Sequence, residues 1–151
     1  MANAQGVASS FKSEAMSGIH ALGTSVIRAA TTADTVKSAL YLATASISAA
    51  TAAYTVTGEA TGTNYTAGGV IVTNATAPST TGTTGIWTPS ASIVYTNVTL
   101  STAFDCVLLY NSTQANKAIG AYTFGSQTVT AGTFTLTMPA NDASNALLRM
   151  A

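Results

Sequence analysis

The side chains able to do chemistry in this 151-residue chain are few and scattered. The single histidine, His20, lies beside an apolar stripe with no cysteine or carboxylate at metal-ligand spacing. A zinc site or a Ser-His-Asp triad needs a histidine held by defined partners, so His20 reads as a structural or interface residue. Cys106 sits in an apolar run without a neighbouring base or cation to lower its pKa. It reads as a buried packing thiol, and a lone cysteine leaves no disulfide framework within one chain. The carboxylates Glu14, Asp34, Glu59, Asp105 and Asp142 are far apart in sequence, and no motif pairs any two of them. Asp105 is the odd one, a carboxylate inside the most apolar strand. Such a residue caps, pairs with Lys or Arg, faces an edge, or makes an ionic contact across subunits.

The remaining motifs are equally sparing. The glycine-rich segments 58–69 and 82–85 lack a Gly-Lys-Ser/Thr sequence, so neither is a phosphate loop, and flexibility accounts for them. The Asn-x-Thr matches at Asn64, Asn74, Asn97 and Asn111 follow from abundant threonine rather than from glycosylation. Trp87 and the tyrosines could stack on a sugar, although one tryptophan is more economically a core or interface residue. No catalytic, cofactor-binding or metal-ligating set emerges, and no cofactor is expected.

Something must position these residues, and the composition points to strands. Threonine occurs 28 times, and 47% of residues are hydrophobic, which argues against disorder. Thr is β-branched, so it suits strands and keeps an exposed sheet face wet without formal charge. Only 7% of residues are charged, for a net charge of zero, against about a quarter in an ordinary domain. Such a surface suits a subunit packed against neighbours. Five basic residues balanced by five acidic ones give no footprint for nucleic acid. The apolar runs are too short to span a bilayer, and the first residues lack the pattern of a secretory signal.

Residues 1–30 read as an N-terminal arm and a short helix, and 31–151 as a β-rich domain. Ser9 or Ser10 is a plausible N-cap for a helix over Phe11–Leu22, where Phe11, Ala15, Ile19 and Leu22 form one apolar stripe before Gly23. Strands are expected at Val36–Leu42, Tyr54–Thr57, Val70–Thr73, Ile86–Thr88, Ser92–Tyr95, Asn97–Leu100, Ala103–Tyr110, Ala118–Phe124 and Ala146–Met150. Loops are expected at Gly58–Gly69 and Asn74–Gly85. Ala103–Tyr110 is apolar on both faces, as in a central strand. Gln127–Thr130 and Thr133–Met138 read as a hairpin turning at Ala131-Gly132, with Phe134, Leu136 and Met138 facing inward. The expected fold is mainly β, a single sandwich or barrel-like domain of short antiparallel strands.

Several phrases, taken in order, resemble a group of small structural proteins of tailed bacteriophages. They are GIHALG at 18–23, NYTAGG at 64–69, IWTPSA at 86–91 and FDCVLLYNSTQANKAIGAYTFGSQTVTAGTF at 104–134. In that group a G-[IV]-H-x-L-G motif is similarly followed by a G-Y-T-A-G-G-like loop, a W-T segment, a strand ending L-Y-N and a Gly-rich hairpin. The chain departs from the group in being nearly charge-free and in having Asn64 where Gly is usual. The resemblance implies a virion component without enzymatic activity, a capsid cement or decoration protein on the outer shell. Such proteins often form trimers at local three-fold points and tie major capsid subunits together. Expected partners are the major capsid protein and further copies of the chain, with no nucleic acid or membrane. The expected interface residues are Phe11, Ile19, His20, Leu22 and Asp105. A tail, neck or head-fibre component with a host- or glycan-binding role is the alternative.

Overall fold

Alternation of apolar and hydroxylated residues dictates strands, and strands dominate. The computed structural model describes residues 3–8, 10–11, 15, 18–23, 32–73, 75–82 and 84–150. Its strands are β1 (Gly6–Val7), β2 (Val36–Leu42), β3 (Val70–Ile71), β4 (Ser79–Thr81), β5 (Thr84–Trp87), β6 (Ile93–Asn111), β7 (Lys117–Leu136) and β8 (Leu148–Met150). They form two antiparallel sheets, ordered β1-β7-β6-β2-β3 and β4-β5-β8. β1 and β3 are edges, so the larger sheet does not close into a barrel.

β6 takes the central place because both of its faces are apolar. Phe104, Cys106, Val107, Leu108, Leu109 and Tyr110 are all buried, flanked by β2 on one side and β7 on the other. The four strands expected between Ser92 and Phe124 fuse into one hairpin of 19 and 20 residues. Its turn is the polar stretch after Asn111, where Ala115 and Asn116 adopt left-handed φ angles of 51° and 58°.

The second hairpin expected at Ala131-Gly132 does not form. β7 runs straight on, and Ala131 (φ 45°) is an extra residue bulged out between the pairs Leu100↔Val129 and Val98↔Gly132. The Ala131 N–H donates to Thr99 Oγ1 at 3.0 Å. The partner for Thr133–Leu136 is therefore Ile93–Tyr95 on β6, not Gln127–Thr130.

The long hairpin is creased. Between Cys106↔Thr123 and Phe104↔Gln127 β7 carries two extra residues, and between Phe104↔Gln127 and Leu100↔Val129 β6 carries two. Such bulges bend a strand pair. The Tyr95 hydroxyl lies 2.6 Å from Ser38 Oγ, and Ser38 pairs with Leu109. From Tyr95 to Leu109, fourteen residues of extended strand would span roughly 45–50 Å. Only a fold-back of the distal half brings them together. Phe104, Phe124 and Phe134 fill the crease, the last two with ring centroids 5.3 Å apart.

Two further expectations shift. Strands β4 and β5 begin inside the segment read as a loop at Asn74–Gly85, and Tyr54–Thr57 is not a strand. Of the helix expected over Phe11–Leu22, residues 12–14, 16 and 17 lie outside the described residues, as does the N-cap candidate Ser9. Ser10, Phe11 and Ala15 are helical, but Gly18 turns at φ 68° and accepts no continuation. A glycine in the left-handed region ends a helix, and Ile19, His20 and Leu22 lie outside regular secondary structure.

Candidate interaction surface

The N-terminal segment is tied along the sheet rather than hanging free as an arm. Its first described side chain, Asn3, donates through Nδ2 to Asp105 Oδ1 at 2.6 Å and to the Leu42 carbonyl at 2.8 Å. Asn3 Oδ1 accepts the Ile47 N–H at 2.9 Å, and Ala4 N–H donates to the Ile47 carbonyl. β1 then adds to β7, and Ala8 N–H donates to the Ile119 carbonyl. Asp105 sits where the registers of β6 with both neighbours shift. The bulge presents its carboxylate to an amide of the same chain, which accounts for an acid within an apolar strand.

A second polar cluster gathers around Asn111, which is fully buried. Its Oδ1 accepts the N–H groups of Thr113 and Gln114, both at 3.1 Å. Its Nδ2 faces Asp34 Oδ2 at 2.7 Å and His20 Nδ1 at 3.2 Å. Because the oxygen is committed to two donors, the amide nitrogen is the atom that donates to Asp34, and it lies beside the His20 ring. Asp34 Oδ2 also accepts the Ala21 N–H at 3.0 Å. The cluster fastens residues 20–21 to the turn end of β6.

The Phe11 and His20 rings lie 4.8 Å apart. They line an apolar cavity of about 220 Å³ with Leu22, Trp87, Leu148 and Met150. Phe11 is 2% exposed, within the chain's own core. Ile19, His20, Leu22 and Asp105 are half-buried. Three of the five expected interface residues thus share one cavity wall, while Asp105 has its own partner in Asn3.

A third cluster escaped the sequence reading. Glu59 is 6% exposed, and its carboxylate accepts three donors. They are the Tyr54 hydroxyl at 2.6 Å, the Tyr65 hydroxyl at 2.9 Å and the Gly68 N–H at 2.7 Å. Tyr65 also accepts the Leu40 N–H, and Tyr110 donates to the Gly68 carbonyl. Burial, reinforced by the Glu59 charge, pushes Tyr54 and Tyr65 well above the ordinary tyrosine value. Both hydroxyls therefore stay protonated as donors. The available signal was a carboxylate flanked by tyrosines, Tyr54 and Tyr65, within a glycine-rich loop.

The glycines of that loop serve close approach, not flexibility. A Cβ on Gly69 (φ 69°) would fall 1.7 Å from the Ser38 carbonyl oxygen, and one on Gly62 1.9 Å from that of Thr99. Glu59, Ala60, Gly68 and Gly69 are buried, so only part of the segment is the exposed loop expected.

Burial first, and then the Asp105 charge, push the Cys106 thiol up to about 12, so it remains a thiol at neutral pH. Trp87 is 1% exposed and its Nε1 donates to the Thr76 carbonyl, which removes it as a sugar-stacking platform. Among the described residues no group of three or more His, Cys, Asp or Glu is placed to hold a metal ion, and no helix is long and apolar enough to cross a membrane. Comparison with known proteins finds no matching family model, curated protein or solved structure.

Proposed function

We propose that the chain is a capsid cement protein of a tailed-bacteriophage particle, seated on the outer shell and bridging neighbouring major capsid subunits. The observation that carries this reading is the ordered set of motifs, and support comes from where each falls. GIHALG brings His20 to Asn111, NYTAGG clamps onto β2 through Tyr65 and Gly69, and the L-Y-N run closes β6. These motifs are packing contacts of a framework, as a passive structural subunit requires.

The mechanism is reinforcement by many weak contacts. Apolar area removed from water contributes about 25 cal/mol per Å², reduced by the cost of ordering both partners. Repetition over a shell makes modest single affinities sufficient through avidity. A surface of threonine, serine and glycine accepts a close neighbour with little charge to desolvate.

The test uses heads of the parent phage that lack this protein. Purified chain added to them should occupy the outer shell at a copy number matching the shell lattice, and should raise the temperature at which the shells rupture. Binding confined to tail or neck, or no shell binding by folded chain, overturns the reading. The first of those outcomes would favour a tail, neck or fibre component.

A further inference from the structure

β1 pairs with β7 only at Gly120 and Ala121. Among the described residues no strand pairs with the outer edge of β7 from Gln127 to Leu136. The side chains of Gln127, Thr128, Thr130, Ala131, Thr133 and Thr135 are exposed. No Asp, Glu, Lys, Arg or Pro occurs between Ala118 and Met138. Exposed edges are ordinarily blunted by lysine, proline or charge, because unpaired backbone groups recruit another strand. This edge carries none of those devices. It carries a single interruption, the bulge at Ala131.

We propose that this edge pairs with the same edge of a second copy, antiparallel, about a two-fold axis at the bulge, between Ala131 and Gly132. The bulge selects the occupant. A straight foreign strand loses its ladder where the extra residue protrudes, whereas a second β7 carries the same bulge at the same place. With the axis between Ala131 and Gly132, the two bulges meet each other. Gln127–Thr130 of each copy then lies against Thr133–Leu136 of the other, and over Thr128–Thr130 exposed residue faces exposed residue and inward faces inward on both sides of the axis. The exposed facing pairs are Thr130 with Thr133 and Thr128 with Thr135, cross-strand threonine pairs that are favourable, and neither copy brings a charge to repel the other. An edge meeting itself is isologous and closes after two copies, where the resemblance implies three. This inference goes beyond shell binding and does not depend on it.

Sedimentation of the purified full chain, with amide exchange followed against concentration, tests the pairing. The expected result is a monomer–dimer equilibrium in which amides of 127–136 gain protection as concentration rises. Thr130 of each copy lies diagonally across the axis from its counterpart. Thr130→Lys and Thr130→Glu should therefore each weaken the dimer roughly tenfold or more through like-charge repulsion. Mixing the two variants should restore it, which also shows that both are folded. A wild-type chain that stays monomeric overturns the proposal. So does an oligomer, trimer included, that Thr130→Lys leaves intact. Shell binding is read on particles, so either proposal can fail without the other.

Discussion

Glu59 shows how one side chain can hold a loop to a sheet. A buried carboxylate is costly unless its oxygens are hydrogen-bonded, and here three donors from the same segment meet it. The gain is made at β2, whose Leu40 N–H is satisfied by Tyr65 and whose Leu40 carbonyl accepts the Ala60 N–H. The segment 59–69 thus completes the outer edge of β2 where β3 is too short to do so. Glu59→Ala removes the common acceptor and should cost about 3 kcal/mol, from several donors left unpaired together. Tyr54→Phe removes a single half-buried donor and should cost about 1 kcal/mol. Urea unfolding midpoints at a constant slope would measure both, and equal losses would refute a shared hub. The sequence held only the flanking of Glu59 by Tyr54 and Tyr65, a weak signal because partners five and six residues away within a turn-rich stretch look like solvated loop. Cys106 was legible as a buried thiol, since the residues around it in sequence are largely apolar.

At the scale of elements, the glycines and the bulges decide the shape. β2 was readable within its true bounds because its alternation and apolar content agree, and the two-sided burial of 103–110 follows from apolar residues at successive positions. The crease in the hairpin was not readable. Gly125-Ser126 and Ser101-Thr102 look like breaks between short strands, and only the cross-strand register shows that pairing resumes beyond them. Ala131-Gly132 was misread for a related reason, because a turn and a bulge both use a left-handed residue. The choice between them lies in which strand offers a partner, which is not local information. The glycines give a direct check of this distinction. Gly69→Ala would drive a Cβ into the Ser38 carbonyl and should displace the 59–69 segment or prevent folding. Gly82→Ala meets no atom within 4 Å, and only its φ of 61° opposes it, a cost of about 1–2 kcal/mol. Thermal melts of the pair should therefore differ widely, and similar melting temperatures would show that the loop is not seated as described.

For the molecule as a whole, the scarcity of formal charge shifts the titratable burden onto tyrosine. All six tyrosines are held above their ordinary value of 10, with burial the leading cause in each. For Tyr41, Tyr54, Tyr65, Tyr95 and Tyr110 the Glu59 charge adds to it. A raised folded value means that, above about pH 10, the unfolded chain releases tyrosine protons that the folded chain keeps. The folded state then binds more protons, so stability falls as pH rises. Below that value both states are protonated and the contribution is fully present. Stability should consequently be flat through neutral and mildly alkaline solution, then fall steeply, because six groups ionise together in the unfolded chain. Tyrosinate absorbance and circular dichroism followed along one titration would check this. The absorbance should stay low past the ordinary tyrosine range and then rise in step with the loss of β-structure. Gradual tyrosinate formation near pH 10 in a chain that keeps its strands would mean that the hydroxyls are not buried around Glu59. The same interdependence links the scales, since the tyrosines that resist ionisation also join the loop, β2 and the folded-back half of the hairpin into one body.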